Sequence, residues 1–303
     1  MKKCAVLVAA VLIFCILSSC GKAEESASED TLVIAATTYP VFCFAEAVTE
    51  GVEGVEVKQI VTDSVSCLHD YTLTVSNMRI IAEADVIALS GAGLEDFMDD
   101  ALASSQADVI DCSQNITLLP GTEEGEEYDP HIWLDPDRAA QMVENLSTRM
   151  EEIDPEHADA YRKNGEETAE AYRGLGDTLR QTLQTLSCRD LITFHNGFSY
   201  FAQAFDLNIL CSIEEEEGSE ASAEDINNII GLVRQYQLSA IFCEVNGSDA
   251  TAQAIARETG TSVFQLATLM SVPEDWGLEG YEDLLTHDVE VVQLALGGAQ
   301  DEQ

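Results

Sequence analysis

Five histidines occur among the 303 residues, and three of them stand where a metal ligand would be expected. His131 is framed by two prolines in Asp129-Pro130-His131-Ile132-Trp133-Leu134-Asp135-Pro136, just after an acidic loop. His69 lies in Cys67-Leu68-His69-Asp70-Tyr71, and His195 closes the apolar run Leu191-Ile192-Thr193-Phe194. Neutral imidazole is the commonest metal ligand, and three imidazoles distant in sequence but each near the end of an extended run can converge on one ion. Taken singly, a histidine at a strand end is more often a hydrogen-bonded structural residue; joint placement is what points to a metal. His157 and His287 fall on helical segments with no loop or strand-end setting and read as structural.

The elements that must position these side chains alternate between short β-rich runs and helical patterns. Leu32–Ala36, Val55–Val61, Val86–Ser90 and Asp108–Cys112 read as strands, with helices near Val41–Thr49, Ser76–Ala84 and Leu94–Ser104. A second series has strands Asp190–Phe194, Leu207–Ile213, Ala240–Glu244 and Val263–Ala267, with helices near Phe198–Phe205, Ala223–Tyr236 and Asp249–Thr259. Two βα series of similar size predict an α/β fold of two lobes, each a mostly parallel four-stranded sheet flanked by helices. Ligands of open α/β sheets bind outside the carboxyl ends of the strands. His69 and His131 belong to that edge of the first lobe and His195 to that edge of the second, so the ion would sit in a cleft between them.

Between the two series the chain runs from Asp154-Pro155 to about Leu186 without another proline. A proline in the first turn is a good helix start, and a helix of this length spans roughly 45 Å, enough to join the lobes as one long spine. Gly165, Gly174 and Gly176 oppose this, each costing about 1 kcal/mol against alanine in a helix interior. A final helix is expected from Glu279 to Leu296, after a loop over Ser271–Leu278. The expected division is a signal peptide at 1–19, a lipidated tether at 20–30, an N-terminal metal-binding lobe at 31–154, a linking helix at 155–187 and a C-terminal metal-binding lobe at 188–298.

Two lysines, an apolar run from Ala5 to Leu17 and small residues before Cys20 make a secretory signal, too short for a spanning helix. Its end resembles the bacterial lipobox, which implies lipidation at Cys20 and anchorage on the membrane without spanning it. The formal net charge is −42, and it becomes two units more negative once Lys2 and Lys3 leave with the signal. Such a chain is repelled by nucleic acid and anionic headgroups, which excludes a nucleic-acid role. The clusters Glu123–Glu127 and Glu214–Glu217 read as solvated loops. Cys43, Cys67, Cys112, Cys188, Cys211 and Cys243 remain in the mature chain; sequence leaves open whether they pair or stay as buried thiols.

Five blocks occur in the order seen in a known family. The segment around His69 is followed by Ala84-Asp85-Val86 and Gly91-Ala92-Gly93-Leu94-Glu95; then come Asp129 to Pro136, Phe194-His195-Asn196-Gly197-Phe198-Ser199-Tyr200-Phe201, Ile241-Phe242-Cys243-Glu244, and Tyr281 to Asp288. Nearly the whole mature chain resembles solute-binding lipoproteins of the zinc/manganese class of ABC importers, with a TroA-like, periplasmic-binding-protein-like fold. The resemblance implies that His69, His131 and His195 ligate metal, that an importer permease is the partner, and that a monomer works on the extracytoplasmic face of a bacterial membrane, held by its lipid anchor.

The family's fourth ligand, an aspartate or glutamate after the last strand, falls near Ala267, where this chain reads Gln265-Leu266-Ala267-Thr268-Leu269. Glu274 and Asp275 are the nearest downstream acids. Glu244 at the end of its strand is the best substitute, either as a ligand or as a hydrogen-bonding residue behind one; Cys67 is a weaker choice, and a water can also complete three histidines. Three imidazoles favour Zn²⁺ over Mn²⁺, which prefers more oxygen ligands. The histidine-rich loop of many zinc-specific relatives is absent from Gly121–Tyr128. The alternatives are a zinc hydrolase or hydratase using Glu244 as base, unsupported by any HExxH or GxSxG motif, and a related lipoprotein that has lost metal binding and serves adhesion or another solute.

Overall fold

The computed structural model describes residues 31–63, 68, 71–121, 127–213, 222–270 and 276–297. The first sheet is built from β1 (Leu32–Ala36), β2 (Val55–Gln59), β3 (Val86–Leu89) and β4 (Asp108–Asp111), in the order β2-β1-β3-β4. All pairs are parallel, with Leu32 beside Val55, Ile34 beside Val86, and Val86 beside Asp108. Its helices are α1 (Tyr39–Val48), α2 (Val75–Glu83) and the short α3 (Asp99–Ser104). Thr38 and Pro40 start α1, and a reciprocal Thr74–Asn77 capping box starts α2.

The second sheet repeats the plan: β5 (Asp190–Phe194), β6 (Asn208–Ser212), β7 (Ala240–Glu244) and β8 (Ser262–Leu266) are parallel in the order β6-β5-β7-β8. Its helices are α6 (Ser199–Ala204), α7 (Ala223–Tyr236), α8 (Ala250–Thr259) and α9 (Gly280–Leu296). β7 is buried along its whole length, as expected of a parallel strand covered on both faces. In each sheet the strand order reverses beside the first strand, so β1 with β3, and β5 with β7, flank a crevice at their carboxyl ends.

Two long antiparallel helices lie between the sheets in sequence, α4 (Pro136–Ile153) and α5 (Ala158–Thr182), the second continued by a 3-10 turn at Leu183–Thr185. The expected long helix is present but starts at Ala158, because Asp154 ends α4 and its carboxylate holds His157 Nδ1 at 2.7 Å and the Tyr161 hydroxyl at 2.8 Å. His157 is thereby a structural partner of Asp154. α4 is absent from the sequence reading. Its start is nonetheless well marked, with Asp135 accepting from the Asp137 amide and Pro136 in the first turn.

The glycines that argued against α5 explain how α4 packs on it. A Cβ at Gly165 would overlap the Ser147 side chain, and one at Gly176 would lie 2.8 Å from Pro136 Cγ, so both allow close approach of the two helices. Gly174 faces open space. α5 packs on α1 and on α9, and Asn164 donates to Val48 O at 3.0 Å at the end of α1. One core joins both sheets, α4 and α5, including Ile34, Phe44, Trp133, Leu146, Phe242 and Leu284. A second cluster around Ile192, Ile229, Ile241 and Ile255 lies under α7 and α8. Among the described residues Cys43, Cys112, Cys188, Cys211 and Cys243 are free thiols. No described helix is long and apolar enough to cross a membrane.

Candidate metal site

His195 follows β5 with an extended backbone and precedes the 3-10 turn Asn196–Phe198. His131 precedes the 3-10 turn Ile132–Leu134, at the end of the long segment after β4. That segment is folded back by a bridge between Pro120 and Tyr128, and the Leu119 amide donates to the Tyr200 hydroxyl on α6 at 2.8 Å. The first sheet's return segment is therefore fastened to the helix that follows His195.

This brings the two imidazoles together. Their Nε2 atoms are 3.4 Å apart, with ring centroids 5.2 Å apart and nearly perpendicular planes; both residues are buried. His131 Nδ1 meets Asp129 Oδ1 at 2.9 Å, and the same oxygen accepts the His131 amide at 3.0 Å. Burial acts to raise the Asp129 carboxyl, but the hydrogen bonds it accepts from the ring and amide of His131 oppose this, and the group is held below the usual carboxylate range. A carboxylate on Nδ1 selects the tautomer whose Nε2 carries the lone pair.

His195 is arranged in the same sense. Its Nδ1 is 4.0 Å from Glu244 Oε2, and Glu244 Oε1 accepts from the Thr268 hydroxyl at 2.7 Å. Glu244 thus stands beside the nitrogen of His195 that points away from His131. Both histidines present Nε2 to a shared gap bordered by bare backbone: a Cβ on Gly197 would lie 2.7 Å from His195 Nε2 and 2.8 Å from His131 Nε2. Two nitrogens bound to one tetrahedral zinc at about 2.0–2.1 Å stand roughly 3.4 Å apart, which is the separation found.

His69, Cys67, Glu274 and Asp275 lie outside the described residues, and among the described residues no group of three or more metal-ligating side chains is found. The chain approaching His69 leaves the carboxyl end of β2, where the Val61 amide donates to Thr37 O at 3.1 Å and Leu68 is fully buried. Ala267 carries no ligand; its amide donates to both oxygens of the buried Asp288 at 3.0 and 3.2 Å. His287 lies against Trp276, with ring centroids 4.1 Å apart and planes tilted by 42°.

Two residues of this site were not singled out by sequence. Asp129 belongs to the motif and lies two positions before the histidine it orients. Thr268 had no local signal, since its partners Glu244 and Trp133 are contributed by other parts of the chain.

Known proteins share this architecture. A high-affinity zinc uptake system protein from Bacillus subtilis is 24% identical over 93% of this chain and 94% of its own length. A manganese-binding lipoprotein from the same organism is 28% identical over 96% of this chain and 98% of its own. The solved structure of the laminin-binding protein of Streptococcus agalactiae, a bifunctional protein with adhesin and metal transporting activity, superposes with a TM-score of 0.76 at 26% identity, covering 87% of this chain and 99% of that one. The model of the family described as zinc-uptake complex component A, periplasmic, matches residues 34–295. The chain belongs to that family, whose members are metal-binding solute-binding proteins of transport systems and not enzymes.

Proposed function

We propose that this protein captures a divalent transition metal between its two sheets and delivers it to the permease of an ABC importer, with Zn²⁺ preferred to Mn²⁺. His131 and His195 are the ligands contributed by the described residues, and His69 supplies the third. The observation that carries this reading is the facing pair of Nε2 atoms, 3.4 Å apart with each Nδ1 turned toward a carboxylate. Two lone pairs at that distance repel unless a proton or a cation lies between them. In this proposal Glu244 holds the His195 ring from behind and does not ligate the ion, so a water or another group completes the shell.

Zn²⁺ suits a set rich in imidazole, whereas Mn²⁺ is better served by oxygen ligands. The relatives include both zinc and manganese proteins, so the preference for zinc rests on the chain's own side chains. Because α5 packs on helices of both halves, metal release would proceed by a small tilt or loop rearrangement driven by the permease. The Cys20 lipid anchor would keep the protein on the extracytoplasmic face of the membrane.

The test uses mature protein stripped with chelator. Wild type should take up one Zn²⁺ and melt at higher temperature with it; free zinc a thousandfold above Kd adds about 4 kcal/mol to stability. His131→Ala should lose the bound ion. Equal zinc content in the two proteins would overturn the site, and retention of Mn²⁺ against equimolar Zn²⁺ would overturn the preference.

A further inference from the structure

Two hydrogen bonds made by Thr268 link the chain just after His131 to Glu244, whose carboxylate lies 4.0 Å from His195 Nδ1. Trp133, two residues beyond His131 and fully buried, donates its indole N–H to the Thr268 carbonyl at 2.7 Å. The Thr268 hydroxyl in turn donates to Glu244 Oε1 at 2.7 Å, and the other oxygen of Glu244 stands beside His195 Nδ1. The link is braced at Trp133 and beside Thr268. Tyr281, on α9, donates its hydroxyl to the Trp133 carbonyl at 2.8 Å, while the neighbouring Ala267 amide is tied to Asp288.

His131 and Trp133 come from the segment that follows the first sheet, whereas Glu244 and His195 close strands of the second. Through its carbonyl and its hydroxyl, Thr268 thus holds groups from both sides. We infer that Thr268 is a positioning residue for the metal site: together with Trp133 it sets the separation of the two Nε2 atoms and fixes the Glu244 carboxylate behind His195. The inference rests on the metal-binding reading of these histidines. It also gives a role to the residues just after the last strand, where Ala267 stands at the position of the family's carboxylate and Thr268 follows it.

Residues that orient metal-bound histidines commonly change metal affinity by about ten- to a hundredfold when removed. Thr268→Val keeps the shape and the backbone carbonyl but deletes the hydroxyl, and should weaken Zn²⁺ binding by about that factor. Thr268→Ser should restore it. Bound Co²⁺ serves as a reporter of coordination geometry, and its visible absorption should shift in Thr268→Val and return in Thr268→Ser. Trp133→Phe, which removes only the other half of the strut and bears on the case in which Thr268→Val does not fold, should shift the same spectrum.

A Thr268→Val protein that melts at lower temperature but keeps wild-type zinc affinity and cobalt spectrum would overturn the inference, leaving Thr268 a packing residue. Failure of the wild-type protein to bind Zn²⁺ or Co²⁺ at all would instead remove the metal-binding reading, and the inference with it.

Discussion

Substituting Asp129 by asparagine tests how the His131 imidazole is held. Asp129 is 1% exposed, and its Oδ1 accepts from both the amide and Nδ1 of His131, at 3.0 and 2.9 Å. The asparagine carbonyl oxygen can take the place of Oδ1 and keep both bonds, but without the negative charge, and its amide nitrogen then replaces the buried Oδ2. What is lost is the excess of a bond to a charged group, about 1.5–3 kcal/mol, over a neutral one, about 0.5–1.5 kcal/mol, that is about 1–1.5 kcal/mol. At about 1.4 kcal/mol per decade this is a loss of roughly five- to tenfold in zinc affinity, at the lower edge of the range found when carboxylates behind metal-bound histidines are removed. Competition against a chromophoric chelator near neutral pH measures the change directly. An unchanged affinity in a folded Asp129→Asn protein would refute the claim that this carboxylate sets the tautomer of His131.

Three other expectations concern the frame. Glu95 is buried and accepts from the Thr37 hydroxyl at 2.6 Å and the amides of Ser90 and Gly91 at 2.7 and 3.0 Å; burial outweighs these bonds and pushes its carboxyl from 4.5 up to about 7. The folded protein therefore holds this proton more tightly than the unfolded chain, so the associated stability is complete below about 4.5 and is lost as pH rises toward about 7, by about 3 kcal/mol. Denaturant melts of metal-free wild type and Glu95→Gln across that window should diverge by this amount, and a constant difference would contradict the assignment. In α5, Gly165→Ala should destabilise by about 1–3 kcal/mol through overlap with Ser147. Gly174→Ala, with open space around it, should stabilise by about 0.4–1 kcal/mol, and thermal melts that reversed the order of these two variants would undermine the packing described for α4 and α5.

Much of the frame was legible because parallel strands buried on both faces read as unbroken apolar runs. Asp190–Phe194 and Ala240–Glu244 were both delimited correctly from sequence. The same rule placed His195 at a carboxyl edge, since the strand ends immediately before it. α4 was not read, although Asp135-Pro136 starts it and Ala139, Ala140, Val143, Leu146 and Met150 form its buried stripe. Its one proline, Pro136, also closes the His131 motif, which masks its second use as a helix start. The division of labour at the site was less accessible still. The place of Glu244 beside His195 Nδ1 goes with its bond to Thr268, 24 residues on, and the Trp133–Thr268 contact joins residues 135 positions apart. Nothing local in the chain encodes that pairing; it emerges when the return segment of the first sheet packs against the end of the second.

In the proposed function the metal is carried in the gap between His131 Nε2 and His195 Nε2. Anomalous diffraction at the zinc edge, from crystals of the stripped protein reloaded with Zn²⁺, locates the ion. One peak is expected about 2.0–2.1 Å from both Nε2 atoms, with the Glu244 carboxylate on the far side of the His195 ring. A zinc peak elsewhere, or zinc bound with the two imidazoles turned away from it, would contradict that placement.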